Sequence, residues 1–122
     1  MLLTYRQNLK LKIKMANNYK FTGVALATTD QTAIITAASG ENIIIKSIII
    51  TNNTANTPTV TLDVTDTSAS ATYQILRTHA LTANTSEELI TKPLVLEATD
   101  ILKATMSSTD SVHIAVSYLV IT

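Results

Sequence analysis

The apolar and polar positions of this chain alternate with a period of two over one short stretch after another, the signature of half-buried strands. The cleanest is "TVTLDVT", Thr59–Thr65, where Val60, Leu62 and Val64 point one way and Thr59, Thr61, Asp63 and Thr65 the other. Comparable strands are expected at Val24–Thr29, Thr32–Ala38, Asn42–Thr51, Thr72–Leu81, "LVLE", Asp100–Met106 and "SVHIAVSYLVIT". Between them lie turn signals: Ser39–Asn42 with Gly40, Asn52–Pro58, Asp66–Ala71 and Ser107–Asp110. Thr82–Leu89 reads as a further polar interruption, with "NTSEEL" able to form one helical turn. No segment has a sustained helical period. About eight strands with regular turns predict an all-β fold, a single antiparallel β-sandwich or jelly roll.

Two strands depart from the half-wet pattern, because both of their faces are apolar. In "NIIIKSIIIT", six isoleucines surround one lysine. In the last strand Val112, Ile114, Val116, Tyr118 and Val120 share one face, while Ala115, Leu119 and Ile121 occupy the other. A strand of an isolated antiparallel sandwich has one wet face, so a second apolar face needs cover. Strict alternation puts Ile44, Ile48 and Ile50 together on the outer side. With Leu119 and Ile121 they form the expected contact surface for a neighbouring subunit. The plainer reading places the same isoleucines under a long loop or under the chain's own N-terminal arm.

That arm is marked out by charge. Up to Lys20 there are five basic residues and no acid, whereas the remainder carries four bases against nine acids. Residues 1–20 are therefore read as a basic arm and 21–122 as the sandwich domain. Within the arm "LKLKIKM" alternates, with Leu9, Leu11, Ile13 and Met15 on one side and lysines on the other. Such a strand can add to a sheet edge of a neighbour, which makes Leu9, Leu11 and Ile13 candidate interface residues. The competing reading is that "MANNYKF" is an ordinary translation start at Met15 and that the stretch before it is a translated ribosome-binding region.

Composition narrows the function classes. With 122 residues and no cysteine, the chain suits one domain with no disulfide and no thiolate metal site. Aromatic residues make up 4%, too few for the stacking platforms of single-strand nucleic-acid binding, so no direct nucleic-acid partner is expected. No apolar run has the length of a membrane span or a signal-peptide core, so no membrane partner is expected either. His79 and His113 lie far apart, and zinc needs three or four convergent ligands. Asp63 and Asp66 flank a turn but lack the oxygen-rich spacing of a calcium loop. Glu87 and Glu88 point to opposite faces of any strand, so they form no acid/base pair. Neither glycine lies in a phosphate-binding pattern, and no serine lies in a nucleophile elbow. No catalytic, cofactor or metal residue is assigned, and an enzyme is not expected.

The stretches "YKFTGVALATTDQTAIITA", "NIIIKSIIITNNT", "VTLDVTD", "LVLEATDILKA" and "VHIAVSYLVI" resemble small virion structural proteins of tailed bacteriophages, particularly those of marine bacteria. The resemblance spans about residues 19–122 and leaves the basic arm unmatched. It implies a compact β-sandwich located in the virion, binding the major capsid protein or other virion proteins. A capsid cement or decoration protein, commonly a homotrimer between capsomers, is the role it implies first. A tail, baseplate or fibre component comes second. A carbohydrate-binding β-sandwich is the rival from another class, poorly supplied by Tyr5, Tyr19, Phe21, Tyr73 and Tyr118.

Overall fold

The computed structural model describes residues 16–122. Those residues form nine strands: β1 (Asn17–Leu26), β2 (Thr32–Thr36), β3 (Asn42–Asn52), β4 (Thr59–Asp66), β5 (Ala71–Ala80), β6 (Ser86–Ile90), β7 (Leu94–Leu96), β8 (Ile101–Met106) and β9 (Val112–Ile121). One sheet has the order β1–β9–β3–β6, with β7 also paired to β3; the other has the order β2–β8–β4–β5. All pairings are antiparallel. β6 and β7 lie end to end along one side of β3, β6 opposite Ile48–Thr51 and β7 opposite Ile43–Ile45. Counted as one broken strand, they leave eight strand positions, four to a sheet. Apart from the β4–β5 hairpin, successive positions alternate between the sheets. This is the eight-stranded jelly roll of two Greek keys.

The two inner faces close on a continuous aliphatic core. Val60, Leu62, Leu102 and Ala104 come from the second sheet, and Ile43, Ile45, Ile48, Ile50, Val112, Ile114 and Val116 from the first. Fully burying each of the larger side chains contributes about 1.5–3 kcal/mol, and these rows therefore hold the sheets together. Turn chemistry follows the sequence at Gly40. Gly40 has φ of +81° in the Ala38–Glu41 turn, closed by the Glu41 N–H donating to the Ala38 carbonyl at 3.0 Å. A positive φ at the third position of such a turn favours glycine.

Two buried polar side chains fasten loops to this frame. Asn52, at the end of β3, donates through Nδ2 to the carbonyls of Asn56 (2.7 Å) and Thr82 (3.3 Å). Its Oδ1 accepts from the Thr54 N–H at 3.1 Å and the Thr54 hydroxyl at 2.8 Å. Asp100 accepts from the Thr67 N–H through Oδ1 (3.2 Å) and from the Glu97 N–H through Oδ2 (3.0 Å). It thereby ties the β4–β5 turn to the β7–β8 turn. Both residues are satisfied in the way buried polar groups must be.

Three expectations are corrected. First, β3 does not alternate strictly. Its register against β9 shifts between Ile45 and Ser47, so Lys46 is the extra residue of a β-bulge. The slip reverses the faces beyond it, and Ile48 and Ile50, expected outside, are fully enclosed in the chain's own core with 0% exposure. Second, Ser86–Leu89, read as part of the polar interruption Thr82–Leu89, belongs to strand β6. Pairing with β3 supplies the backbone partners that this polar sequence does not advertise. Third, the first strand begins at Asn17, so residues 17–20 of the region read as an arm belong to the sheet, paired with Tyr118–Ile121. The alternation in Leu9–Met15, and with it Leu9, Leu11 and Ile13, lies outside the described residues.

Candidate assembly face

Directly opposed residues of antiparallel strands share a face, so the register maps the outer side of the first sheet. Tyr19 of β1 stands opposite Leu119 of β9, Leu119 opposite Ile44 of β3, and Ile44 opposite Val95 of β7. These four apolar side chains form a row across the whole sheet. Its ends are open, Tyr19 being 79% and Val95 55% exposed, and its middle is sheltered. Leu119 is buried yet is not a member of the central core cluster. The next rows are Phe21–Ser117–Ser47 and Gly23–Ala115–Ile49–Glu88. Phe21 is 67% exposed, and Ile49, the remaining outward isoleucine of β3, is 42% exposed.

Of the residues proposed from sequence as a contact surface, the structure brings Ile44 and Leu119 together in this row. Ile121 is half-buried in the adjacent row, opposite Asn17 and Asn42. Ile48 and Ile50 are not part of the face. Tyr19, Phe21 and Val95 are its principal exposed members and were not among the contact residues proposed from sequence. The available signal was the alternation Tyr19, Phe21, Gly23, Ala25 against Lys20, Thr22, Val24, Leu26, which begins before the boundary drawn at residue 20. Along β1 and β9 the small residues Gly23, Ala25 and Ala115, with Phe21 and His113, leave a shallow trough of about 380 Å³.

The polar groups elsewhere serve the fold. His79 Nε2 lies 2.7 Å from Glu87 Oε1 and joins edge strands β5 and β6 of opposite sheets. Asp63 is buried on β4 and accepts from Gln31 Nε2 at 2.9 Å. Asp66 accepts from the Ser68 hydroxyl (2.7 Å) and the Ala69 N–H (3.2 Å), which hold its carboxyl below the usual carboxylate value. Asp110 is lowered likewise by the Ser108 hydroxyl and the Asn56 amide. Among the described residues, no group of three or more His, Cys, Asp or Glu could hold a metal ion.

Fold and face together define a jelly-roll β-sandwich with an apolar row on the outside of one sheet. No protein-family model matches the chain, and no curated protein sequence does. Several solved structures align with the chain. A Bacillus endospore appendage protein, from disulfide-linked pili, aligns with a TM-score of 0.53 and 10% identity over 87% of this chain and 85% of its own. The Drosophila NLP core, described for pentamer formation and histone binding, aligns at 0.49 with 17% identity over 80% of this chain and 96% of its own. A chain of the cyanophage Pam1 capsid asymmetric unit aligns at 0.43 with 19% identity over 86% of this chain and 85% of its own. At 10% identity the likeness to the endospore appendage protein is one of fold alone.

Proposed function

We propose that this chain is a non-enzymatic virion structural protein, a capsid cement protein that stabilises a phage shell by bridging major capsid proteins. The observation that carries the reading is the row Tyr19–Leu119–Ile44–Val95, apolar from one edge of the sheet to the other. An apolar row open at both ends of a sheet face suits a protein partner. The sequence resemblance to phage virion proteins supplies the kind of partner. The arm residues Leu9, Leu11 and Ile13 supply a second attachment, as a strand added to a neighbour's sheet. A disulfide linkage such as that of the endospore pili is closed to this chain, which has no cysteine.

The test is recovery in particles. Phage carrying this gene is grown with the native chain, with Val95→Glu, and with residues 1–15 deleted, and purified particles are assayed for the protein. The native chain is expected in many copies per shell. Val95→Glu, soluble and folded, is expected to be lost at least tenfold, and the deletion to be weakened. Absence of the native chain from particles, or native-level incorporation of Val95→Glu, refutes the reading.

A further inference from the structure

Four strand edges bound the two sheets, and three of them carry features that discourage pairing with another chain. β2 is five residues long and its register is broken between Ala33 and Ile35. β5 is irregular at two points against β4 and holds Thr78 at a positive φ of 44°. The β6/β7 edge is interrupted by Thr91, Lys92 and Pro93 and carries a register shift of its own. β1 has none of these. It runs ten residues in unbroken register with β9, contains no proline, and has Lys20 as its one charge. No described strand pairs with its far side. A long, regular, unprotected edge is a template for another strand.

The outward residues of β1 also sort by size. Tyr19 and Phe21 are large and exposed, and Gly23 and Ala25 that follow them are small. The fold itself does not demand the glycine. Its φ lies outside the left-handed region, and a Cβ there meets only the Phe21 ring, at 3.4 Å. An interior strand glycine without an internal reason marks close approach by something else.

We propose that β1 pairs antiparallel with β1 of a second copy, about a two-fold axis at Thr22. In that register Phe21 stands opposite the second copy's Gly23, and Tyr19 opposite its Ala25, with the same pairs repeated by the symmetry. An isologous contact requires this self-complementarity, and large-against-small satisfies it. Lys20 falls opposite Val24, so no like charges meet. Centring the axis on Phe21 would set the two Phe21 side chains directly against each other, and centring it on Lys20 would oppose two lysines. The trough beside Gly23, Ala25 and Ala115 has room for the incoming ring, and two rings meeting near a dyad gain the offset stacking that aromatic pairs prefer. Each ring still exposes on the order of 150 Å². The four together supply about 600 Å², and pairing along Asn18–Leu26 adds the rest of the roughly 1,000 Å² a specific interface needs. The product is a dimer with one continuous sheet, in place of the trimer that the resemblance implies.

The inference is independent of the virion reading, because it is tested on the purified full chain. Sedimentation equilibrium is expected to give about twice the 13.1 kDa of one chain. Phe21→Ala and Gly23→Thr are each expected to return the mass to that of one chain with an unchanged β-sheet circular dichroism spectrum. Phe21→Ala, whose ring lies at the surface, decides alone if Gly23→Thr fails to fold. A native mass of one chain or of three overturns the proposal, as does a dimer that survives in a folded variant. An edge taken by residues 1–15 of the same chain gives the monomer and counts in the same way.

Discussion

Alanine substitution at Ile48 and at its neighbour Ile49 tests the bulge in β3 most directly. Ile48 is completely enclosed, and truncating it removes three methyl(ene) groups and leaves a cavity between the sheets. Such changes cost about 2–5 kcal/mol, and complete enclosure favours the upper half, about 3–4 kcal/mol. Ile49 lies on the outer face with 42% exposure. It retains a little over half of the roughly 1.5–3 kcal/mol of a fully buried isoleucine and opens no cavity, so its loss costs about 1 kcal/mol. The difference, about 2–3 kcal/mol, is large against a total stability of about 5–15 kcal/mol. With a urea m-value of about 1–1.5 kcal/mol/M, the two midpoints should stand about 2 M apart. Equilibrium unfolding followed by circular dichroism at a single protein concentration reads this out. The companion pair, Ile45→Ala and Ile44→Ala, should show the same order, Ile45 being the costlier. Strict alternation permits one of these inequalities and forbids the other, because it puts Ile45 and Ile48 on opposite faces. A scan in which Ile49→Ala costs as much as Ile48→Ala, or Ile44→Ala as much as Ile45→Ala, refutes the bulge at Lys46.

Replacing Asn52 with Ala should cost about 2–4 kcal/mol, since it removes the bonds to Asn56, Thr82 and Thr54 and strands buried groups; a thermal shift below about 5 °C would contradict the clamp. Lowering the pH should destabilise the fold through Asp66 and Asp110. Both have folded-state values below the ordinary 3.8, so their stabilisation is present above that value and is lost as pH falls through the depressed folded values. Urea midpoints measured from pH 5 downward should therefore fall less steeply in Asp66→Asn, Asp110→Asn, and an unchanged slope in the double variant would show that these hydrogen bonds carry no linkage.

The sandwich was legible because antiparallel strands with one wet face write their period into the sequence, as in Thr59–Thr65. What the period cannot report is a single inserted residue. Lys46 interrupts two isoleucine triplets that look equivalent, and nothing in "NIIIKSIIIT" says whether the lysine continues the alternation or stands outside it. The answer lies in β9, which offers Tyr118 to Ile45 and Ser117 to Ser47 and leaves Lys46 unmatched. β6 was missed for a related reason. Ser86, Glu87 and Glu88 have poor strand propensity, and an edge strand needs less from its own side chains when its backbone is paired by a strong neighbour. The contact surface was half legible. Ile44 and Leu119 followed from counting faces, whereas Tyr19, Phe21 and Val95 needed the register that lines them up.

The isoleucine surplus that suggests a sticky subunit is thus mostly internal, with Ile43, Ile45, Ile48 and Ile50 in the core and Ile44 and Ile49 outside. What remains on the face is a row one residue deep, its central members already sheltered and its Tyr19 end shared with the dimer contact, so that Val95 is its open end. A contact so narrow falls toward the small end of specific interfaces and binds weakly by itself. On the shell proposed above, which would present the same site many times, weakness is no handicap. Two rows carried on one dimer lie on the same side of its continuous sheet, because β1 pairing sets outer face beside outer face. The second row then binds intramolecularly, and avidity can exceed the single-site affinity by about 10²–10⁴ without any new contact. On this argument the regular edge of β1 and the apolar row are two parts of one device. The edge sets the spacing and the row supplies the adhesion, so breaking the dimer should weaken attachment to a shell even where every residue of the row is intact.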